Sequence, residues 1–272
     1  MGFFGKLFEK KECAICGGEI GLLGNRKLED GNMCKDCASK LSPWFDDRRN
    51  STVVQIQEQL EYREANKAKV AAFQTTRVLG ESTKVYLDED ARMFMVTSAG
   101  SPKDITNANP DVLSFSDVTG CDLDINEHKR ELKQTDKEGK QVSYNPPRYE
   151  YQYDFFVELH VRNKYFDEIR FKINRDSVYL DGEALRRLSM TGPGKFFNPT
   201  VGINPENSVE YRRYKEMGEE IKAILLQVRQ ESREAAAAAA APKAAVTCPY
   251  CGATTTPDAS GRCEYCGGAV FD

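Results

Sequence analysis

Between residues 84 and 174, apolar and polar side chains alternate along much of the chain. This period of two is typical of strands with one buried face, because successive side chains of a strand point to opposite faces. Residues 84–96 predict a hairpin, which residues 112–115 and 118–126 continue as further strands. Two apolar rows predict the buried face, and their members are Phe155, Val157, Leu159 and Val161, then Ile169, Phe171 and Ile173. We therefore predict an antiparallel sheet at the centre of the chain.

Two other segments space their apolar residues by three or four positions, as amphipathic helices do. The first begins after Thr52, which is placed with Gln55 as a capping box. The second is capped by Asn207 or Ser208 and follows a further apolar segment at 178–188. The apolar positions are Val53, Ile56, Leu60, Val70 and Phe73 in the first helix and Tyr214, Met217, Ile221, Leu225 and Val228 in the second.

The alanine run at residues 235–241 is predicted to extend the second helix until Pro242 stops it. Alanine favours helix but has little side chain to bury, so this stretch predicts a semi-rigid spacer. The chain then divides into five predicted parts: an N-terminal module at 1–45, a connecting amphipathic helix at 46–80, a β domain with its helix at 81–232, the alanine-rich linker at 233–246 and a C-terminal module at 247–272.

Eight of the nine cysteines form four C-x-x-C pairs, two near each end of the chain. The ligand sets are Cys13, Cys16, Cys34 and Cys37, and Cys248, Cys251, Cys263 and Cys266. This spacing predicts two zinc ions per chain, each held by four thiolates. Because a catalytic zinc keeps one position open for water, four protein ligands indicate structural sites. Disulfides are the alternative, but they suit small secreted domains, and nothing in the sequence indicates export.

Each cysteine set predicts a known kind of metal module. In the first, Gly17 and Gly18 follow Cys16 as a knuckle, a hairpin comes next, and residues 34–41 read as a helix that begins at the metal. This order is that of a treble clef. The second set, with Gly252 and Gly267 after its pairs, predicts a zinc ribbon. Modules this small bury little surface, so metal binding of about 10–16 kcal/mol would supply their folding energy.

Charge and hydropathy exclude several classes of protein. Lysine and arginine total 38 against 42 acids, a formal charge of −4 that two four-thiolate zinc sites would lower further. An acidic balance disfavours nonspecific nucleic-acid binding. No stretch approaches the roughly 20 apolar residues of a membrane-spanning helix, and we expect a cytoplasmic protein without a cleaved signal.

The N-terminal segment has two interpretations. It carries Phe3, Phe4, Leu7 and Phe8 together with Lys6, Lys10 and Lys11. These residues could lie in a membrane interface as a very short amphipathic helix, although eight residues give weak binding at most. The alternative is that the aromatic rings pack on the N-terminal module or on a partner, and this alternative is preferred.

Candidate catalytic residues are few. The two histidines, His128 and His160, fall in a charged run and on the predicted wet face of the sheet. Asp122 and Asp124 are predicted to point outward on a strand where Cys121 points inward, and without an apolar pocket or a partner they read as ordinary surface acids. A thioredoxin-like site would need one C-x-x-C pair at a helix start within a βαβ unit. We therefore expect a protein that is not an enzyme.

The N-terminal knuckle that ends near Trp44, the helix with Leu60-Glu61-Tyr62-Arg63 and the strand 84–88 resemble bacterial proteins catalogued as zinc-binding domains of unknown function. That resemblance implies no activity. The central strands and the helix 208–228 also resemble a bacterial pleckstrin-homology-like domain, which implies an α+β fold with an antiparallel β-barrel closed at one end by its C-terminal helix.

Pleckstrin-homology domains suggest inositol-phosphate binding at the first hairpin, but Asp88, Glu89 and Asp90 in this hairpin would repel phosphate. The resemblance therefore favours a face or edge that binds peptides. We expect a cytoplasmic adaptor that binds other proteins, with the tail module as the main recognition element. The alternative is a zinc-ribbon nucleic-acid binder, although Arg262 is the only basic residue between Cys248 and Asp272. Self-association of the chain is compatible with both the adaptor and the nucleic-acid-binding interpretation.

Overall fold

The computed structural model describes residues 11–181, 204–240, 245–258 and 260–270. The chain divides into two compact units, Met1–Arg229 and Gln230–Asp272, and each is described by itself. The N-terminal segment with its phenylalanines, residues 182–188 of the predicted apolar segment and Pro242 lie outside the described residues. Within the described residues, none of the helices is long and apolar enough to cross a membrane.

The first unit begins with a small module of two hairpins and one helical turn. Strand β1 (Lys11–Glu12) pairs with β2 (Glu19–Ile20), and β3 (Arg26–Lys27) pairs with β4 (Asn32–Met33). Helix α1 (Lys35–Ala38) follows at once. A small apolar core lies beneath these elements and includes Ile20, Leu28, Met33, Leu41 and, from the next helix, Ile56. The predicted order of knuckle, hairpin and helix is confirmed.

Helix α2 (Val53–Ala72) begins at the capping box that the sequence predicts. The Gln55 backbone N–H donates to Thr52 Oγ1 at 3.3 Å, and the Thr52 N–H donates to Gln55 Oε1 at 2.8 Å. The start of α2 is also attached to the metal module, because the Val53 N–H donates to Asp30 Oδ1 at 2.7 Å. These bonds satisfy N–H groups that the first turn of a helix would otherwise leave unpaired.

The middle of α2 buries polar side chains. The Arg63 guanidinium lies 2.8 Å from Asp111 Oδ1, and Ser42 Oγ donates to Asp111 Oδ2 at 2.7 Å. Asn66 donates to Asn109 Oδ1 at 2.9 Å and to the Pro110 carbonyl at 2.7 Å. A buried charge is tolerated only when it is paired and hydrogen-bonded. This network therefore fixes the end of the metal module, α2 and the segment 109–111 to one another.

The first sheet of the central domain has the strand order β5-β6-β7-β8. Its strands are β5 (Arg77–Leu79), β6 (Lys84–Asp88), β7 (Met93–Thr97) and β8 (Leu113–Ser114), with helix α3 (Pro102–Ala108) between the last two. Strands β6 and β7 pair antiparallel from Lys84↔Thr97 to Asp88↔Met93. The predicted hairpin is confirmed.

The second sheet is built around one long strand. Its strands are β9 (Val118–Thr135), β10 (Gln141–Val161), β11 (Glu168–Lys172) and β12 (Val178–Asp181). Strand β10 pairs with β9 on one side and with β11 and β12 on the other. Both predicted apolar rows face the core, and Phe155, Val157 and Leu159 are fully buried.

Helix α4 (Val209–Ala240) begins after Ser208, whose Oγ accepts from the Tyr211 N–H at 3.3 Å. One stripe of α4 joins the core of the two sheets, and its buried members are Tyr211, Tyr214, Ile221, Ile224, Leu225 and Val228. A Cβ at Gly218 would lie 2.4 Å from Leu123 Cδ1, so this glycine allows the close approach of α4 to β9. The helix continues into the alanine run as far as Ala240, where this part of the described chain ends.

The two sheets face a common core but do not form the closed barrel that the resemblance implies. In the described part of the chain, no strand of one sheet pairs with a strand of the other. Strand β8 has only two residues and leads through a single helical turn at Phe115–Asp117 directly into β9. The chain therefore changes sheets at this corner without a hydrogen-bonded seam. The fold is a mixed helix and sheet structure with a cysteine cluster near each end.

The second unit contains the end of α4 and the tail module. Strand β13 (Val246–Thr247) pairs with β14 (Thr254–Thr255), and an isolated bridge joins Arg262 and Ala269. Because the module has so few strand pairs, we expect metal binding by its four cysteines to supply much of its folding energy.

Candidate metal centres

The N-terminal cysteines come from two different local structures. Cys13 and Cys16 lie in a knuckle, in which the Gly17 N–H donates to the Cys13 carbonyl and the Cys13 N–H donates to the Gly18 carbonyl, both at 2.8 Å. Gly17 has a φ of 71°, which a residue without a Cβ adopts at no steric cost. Cys34 is the N-cap of α1, and Cys37 lies on its first turn. A knuckle facing the start of a helix is the arrangement predicted for a treble clef.

The four N-terminal sulfur atoms fit a tetrahedral metal ion. All lie within 4.8 Å of one another, and the Cys16 and Cys34 Sγ atoms are 3.8 Å apart. Four sulfurs at about 2.3 Å from a central zinc would be separated by about 3.8 Å. A disulfide would bring two sulfurs to about 2.05 Å, so the geometry is that of a metal cluster.

Backbone donors favour the thiolate form of part of this cluster. The Cys34 N–H donates to Cys13 Sγ at 3.2 Å, and the Cys37 N–H lies 3.4 Å from Cys34 Sγ. Burial raises the pKa of Cys13, but backbone N–H groups, that of Cys34 first, outweigh it and bring the pKa down to about 6. Burial, followed by the neighbouring thiols, raises the pKa of Cys37 far above its ordinary value. The raised pKa of Cys37 keeps its thiol protonated near neutral pH without a metal, so a bound cation would complete its deprotonation.

The tail cluster is built from two knuckles. The Gly252 N–H donates to the Cys248 carbonyl at 2.9 Å, and the Gly267 N–H donates to the Cys263 carbonyl at 2.8 Å. Gly252 and Gly267 have φ values of 72° and 69°, close to that of Gly17. The two knuckles repeat the turn of the N-terminal module, whereas no ligand of this cluster lies on a helix. This is the arrangement predicted for a zinc ribbon.

The tail sulfurs also fit a tetrahedral ion. Cys248 and Cys266 have Sγ atoms 3.6 Å apart, those of Cys251 and Cys263 are 3.8 Å apart, and all four lie within 4.8 Å of one another. Burial raises the pKa of Cys263, but backbone N–H groups, that of Cys266 first, bring it down to about 6. The Gly268 N–H lowers the pKa of Cys266, but hydrogen bonds with the thiols of Cys251 and Cys248 outweigh it and raise the pKa to about 12.

Each cluster has a buried side and an exposed side. The buried ligands are Cys13 and Cys37 in the first cluster and Cys248 and Cys263 in the second, whereas Cys16, Cys251 and Cys266 are exposed. Four sulfur ligands fill the coordination positions of a tetrahedral ion, and none is left for water. The arrangement can therefore stabilise a fold but offers no open metal position for catalysis.

The other residues considered from sequence do not form a site. Cys121 is buried in the central core, and burial raises the pKa of its thiol to about 12. Asp122 pairs with Lys222 at 3.1 Å, and Asp124 pairs with Arg170 at 2.6 Å. In the described ranges, the two cysteine clusters are the only groups of three or more metal-ligating residues, and they contain no histidine.

Two features of the N-terminal module do not follow from the sequence analysis. Leu22 and Leu23 are exposed between two glycines, and Arg26, Lys35 and Arg48 line one cavity. The G-L-L-G sequence could have indicated the first feature, because apolar residues in a glycine-bounded turn cannot enter a core easily. The cavity could not be predicted from any short segment of sequence, because Arg26 and Arg48 are far apart along the chain.

The fold and the clusters define a protein with two four-cysteine metal modules joined to a mixed helix and sheet domain. Residues 11–59 match the family described as Domain of unknown function (DUF4428). The matched segment includes the first cysteine cluster and the beginning of α2. No curated protein and no solved structure matches the chain.

Proposed function

We propose that this chain is a non-enzymatic adaptor that binds other proteins. One structural zinc ion stabilises the fold of each of its two terminal modules. The observation that carries the proposal is the pair of closed clusters, in each of which four sulfurs lie within 4.8 Å of one another. Thiolates select soft or borderline metals, and a tetrahedral set of four is typical of zinc. Iron could occupy the same ligands, and metal analysis distinguishes the two.

The central domain is proposed to be a pleckstrin-homology-like platform. Two antiparallel four-stranded sheets around one core, with the stripe of α4 completing it, support this relation although the barrel is not closed. Its first hairpin is a poor phosphate site. Asp88 is buried and accepts from the Gln74 and Ala91 N–H groups, so the exposed acids of the turn are Glu89 and Asp90. These carboxylates would repel a phosphoinositide headgroup.

The tail module is proposed to carry the main recognition surface. Tyr250 and Tyr265 occupy equivalent positions in the two knuckles and are 71% and 72% exposed. Exposed tyrosines supply large contact area at small entropic cost, and they are enriched where proteins bind one another. Arg262 is the only basic residue in the described tail, so this module offers little positive charge to nucleic acid.

A cytoplasmic location in a bacterial cell completes the proposal. None of the nine cysteines forms a disulfide, and a reducing compartment keeps thiols available to metal.

Partner capture from the native host tests the adaptor function. Full-length protein is compared with a Tyr250→Ser/Tyr265→Ser variant, and Tyr179→Ser serves as the matched control because Tyr179 is 59% exposed on β12. We expect the same specific partner with the wild type and the control and at least a tenfold weaker capture with the double variant. Equal capture by all three would contradict the recognition role of the tail. Tight, salt-sensitive retention of nucleic acid in place of a protein would overturn the adaptor proposal.

A further inference from the structure

An apolar turn projects from the N-terminal metal module. Residues 21–24, named here the leucine tip, form a turn closed by the Gly24 N–H, which donates to the Gly21 carbonyl at 2.9 Å. Leu22 and Leu23 occupy its two central positions and are 81% and 92% exposed. A single exposed leucine is ordinary. Two adjacent leucines at the end of a tight turn form one exposed apolar patch, which can be buried in an apolar environment outside the chain.

A cationic cavity lies directly beside the leucine tip. It has a volume of about 330 Å³, and its lining includes Arg26, Lys35 and Arg48 against Phe45 and Leu41, with no carboxylate. Arg26 Nη1 lies 3.4 Å from the Leu23 carbonyl and 3.2 Å from the Asn25 carbonyl. Arg48 Nη1 donates to the Lys27 carbonyl at 2.7 Å. Both guanidinium groups are thus attached to the backbone at or just after the leucine tip.

The three cationic side chains of this cavity have no carboxylate in contact with them among the described residues. Among the described residues, neither Arg26, Lys35 nor Arg48 makes an ion pair. Burial, followed by the charges of Arg26 and Arg49, lowers the pKa of Arg48. Cations held close together favour an anion, and arginine forks match phosphate oxygens.

The segment that precedes β1 joins the N-terminal module next to the leucine tip. In the β1–β2 hairpin Lys11 pairs with Ile20, so the knuckle closes one end of the hairpin. The opposite end leads backward to residue 10 and forward to the leucine tip. By sequence, the ten residues ahead of β1 carry Phe3, Phe4, Leu7 and Phe8 with Lys6 and Lys10. A second apolar and basic stretch is therefore attached where the leucines project.

We infer that the N-terminal module docks on an anionic membrane surface, with Leu22 and Leu23 inserted among the lipids and a headgroup phosphate in the cavity of Arg26, Lys35 and Arg48. Apolar insertion and attraction to anionic lipid are the two contributions that hold a protein at a membrane interface. Each is weak alone, and stable attachment takes two signals. This inference does not depend on the adaptor function, because it uses none of the tail residues.

A free phosphate compound fits the observations less well than a lipid. The cavity alone would suit a soluble phosphate, but such a ligand would leave the two leucines in water. A lipid headgroup occupies the cavity while its acyl region receives the leucines, so one surface satisfies both features.

Vesicle sedimentation of the full, reduced, zinc-supplied chain tests the inference. The vesicles contain phosphatidylcholine alone or with about one third phosphatidylserine. We expect binding to the anionic vesicles, at least tenfold weaker binding to the neutral ones, and a loss of at least tenfold in Leu22→Ser/Leu23→Ser. Arg26→Gln/Arg48→Gln is expected to abolish the preference for anionic lipid. Val209→Ser, which changes an apolar residue that is 74% exposed on α4, should bind as the wild type does.

Several results would overturn the inference. They are absence of vesicle binding, equal loss in the leucine variant and the Val209→Ser control, and binding to anionic vesicles that the leucine variant retains. Inorganic phosphate that protects the module against unfolding while vesicles do not sediment the chain would assign the cavity to a soluble anion. Vesicle binding that appears only after residues 1–8 are deleted would show that the chain's own N-terminus covers the leucines. Unchanged zinc content in the leucine variant confirms that the module is still folded.

Discussion

Arg63 shows how a single side chain can decide whether the first unit holds together. Its guanidinium reaches Asp111 and, through Nε, the Lys40 carbonyl at 3.3 Å, two residues beyond the end of α1. The pair is almost completely shielded from solvent. A shielded ion pair gives little net stability by itself, but removing one partner leaves an uncompensated charge.

Arg63→Leu is therefore expected to lower the free energy of unfolding by about 3–5 kcal/mol, because the Asp111 carboxylate would stay buried without its counter-charge. Urea unfolding followed by circular dichroism measures the change. The matched control is Arg77→Leu, since Arg77 makes a partly exposed ion pair with Glu220 and should cost less than about 1 kcal/mol. A loss below about 1 kcal/mol for Arg63→Leu would mean that the network does not join the module to the central domain.

At the scale of elements, α2 begins where two local signals agree. The Thr52–Gln55 capping box is complete, and the apolar face of the helix starts one residue later. We expect Thr52→Ala to lower the free energy of unfolding by about 1 kcal/mol, because the Gln55 N–H would lose its acceptor.

The control for this prediction is Thr52→Ser, which keeps the hydroxyl and should unfold within a few tenths of a kcal/mol of the wild type. Urea midpoints of the two variants give the comparison. If the serine variant loses as much stability as the alanine variant, the methyl group of Thr52 and not the cap would account for the effect.

Elements whose signals are local follow from the sequence, and those that need distant partners do not. The helix caps, the β6–β7 hairpin and the knuckles each depend on residues a few positions apart. The strand predicted at 118–126 stops before the charged run at 127–131, yet this run is also strand, because β10 pairs with it residue by residue. Strand β5 is too short to show a period, and its pairing with β6 alone defines it.

At the scale of the whole molecule, the cysteine spacing predicts the metal modules because their ligands come in short pairs. The arrangement of the two sheets depends on the corner between β8 and β9. The hydrophobic pattern of the sequence does not predict this corner. The cationic cavity likewise requires Arg26 and Arg48 to meet through the fold. These features became visible only with the structure.

The two units are expected to be independent in stability. The apolar core of the central domain includes described residues only as far as Val228. Deleting residues 243–272 should therefore leave the main thermal transition within about 2 °C of the full chain and remove one bound metal ion. Differential scanning calorimetry and metal analysis of the two proteins provide the test. A truncated chain that unfolds as a whole at a much lower temperature would contradict the division into modules.

X-ray absorption at the zinc edge, combined with metal quantification, shows directly whether eight thiolates hold two closed zinc sites. We expect two zinc ions per reduced chain, each with four sulfur neighbours at about 2.3 Å and no oxygen or nitrogen neighbour. Cys16→Ser and Cys251→Ser should each disturb one of the two sites. Protein without stoichiometric zinc, or zinc with an oxygen ligand in the unaltered chain, would contradict this expectation.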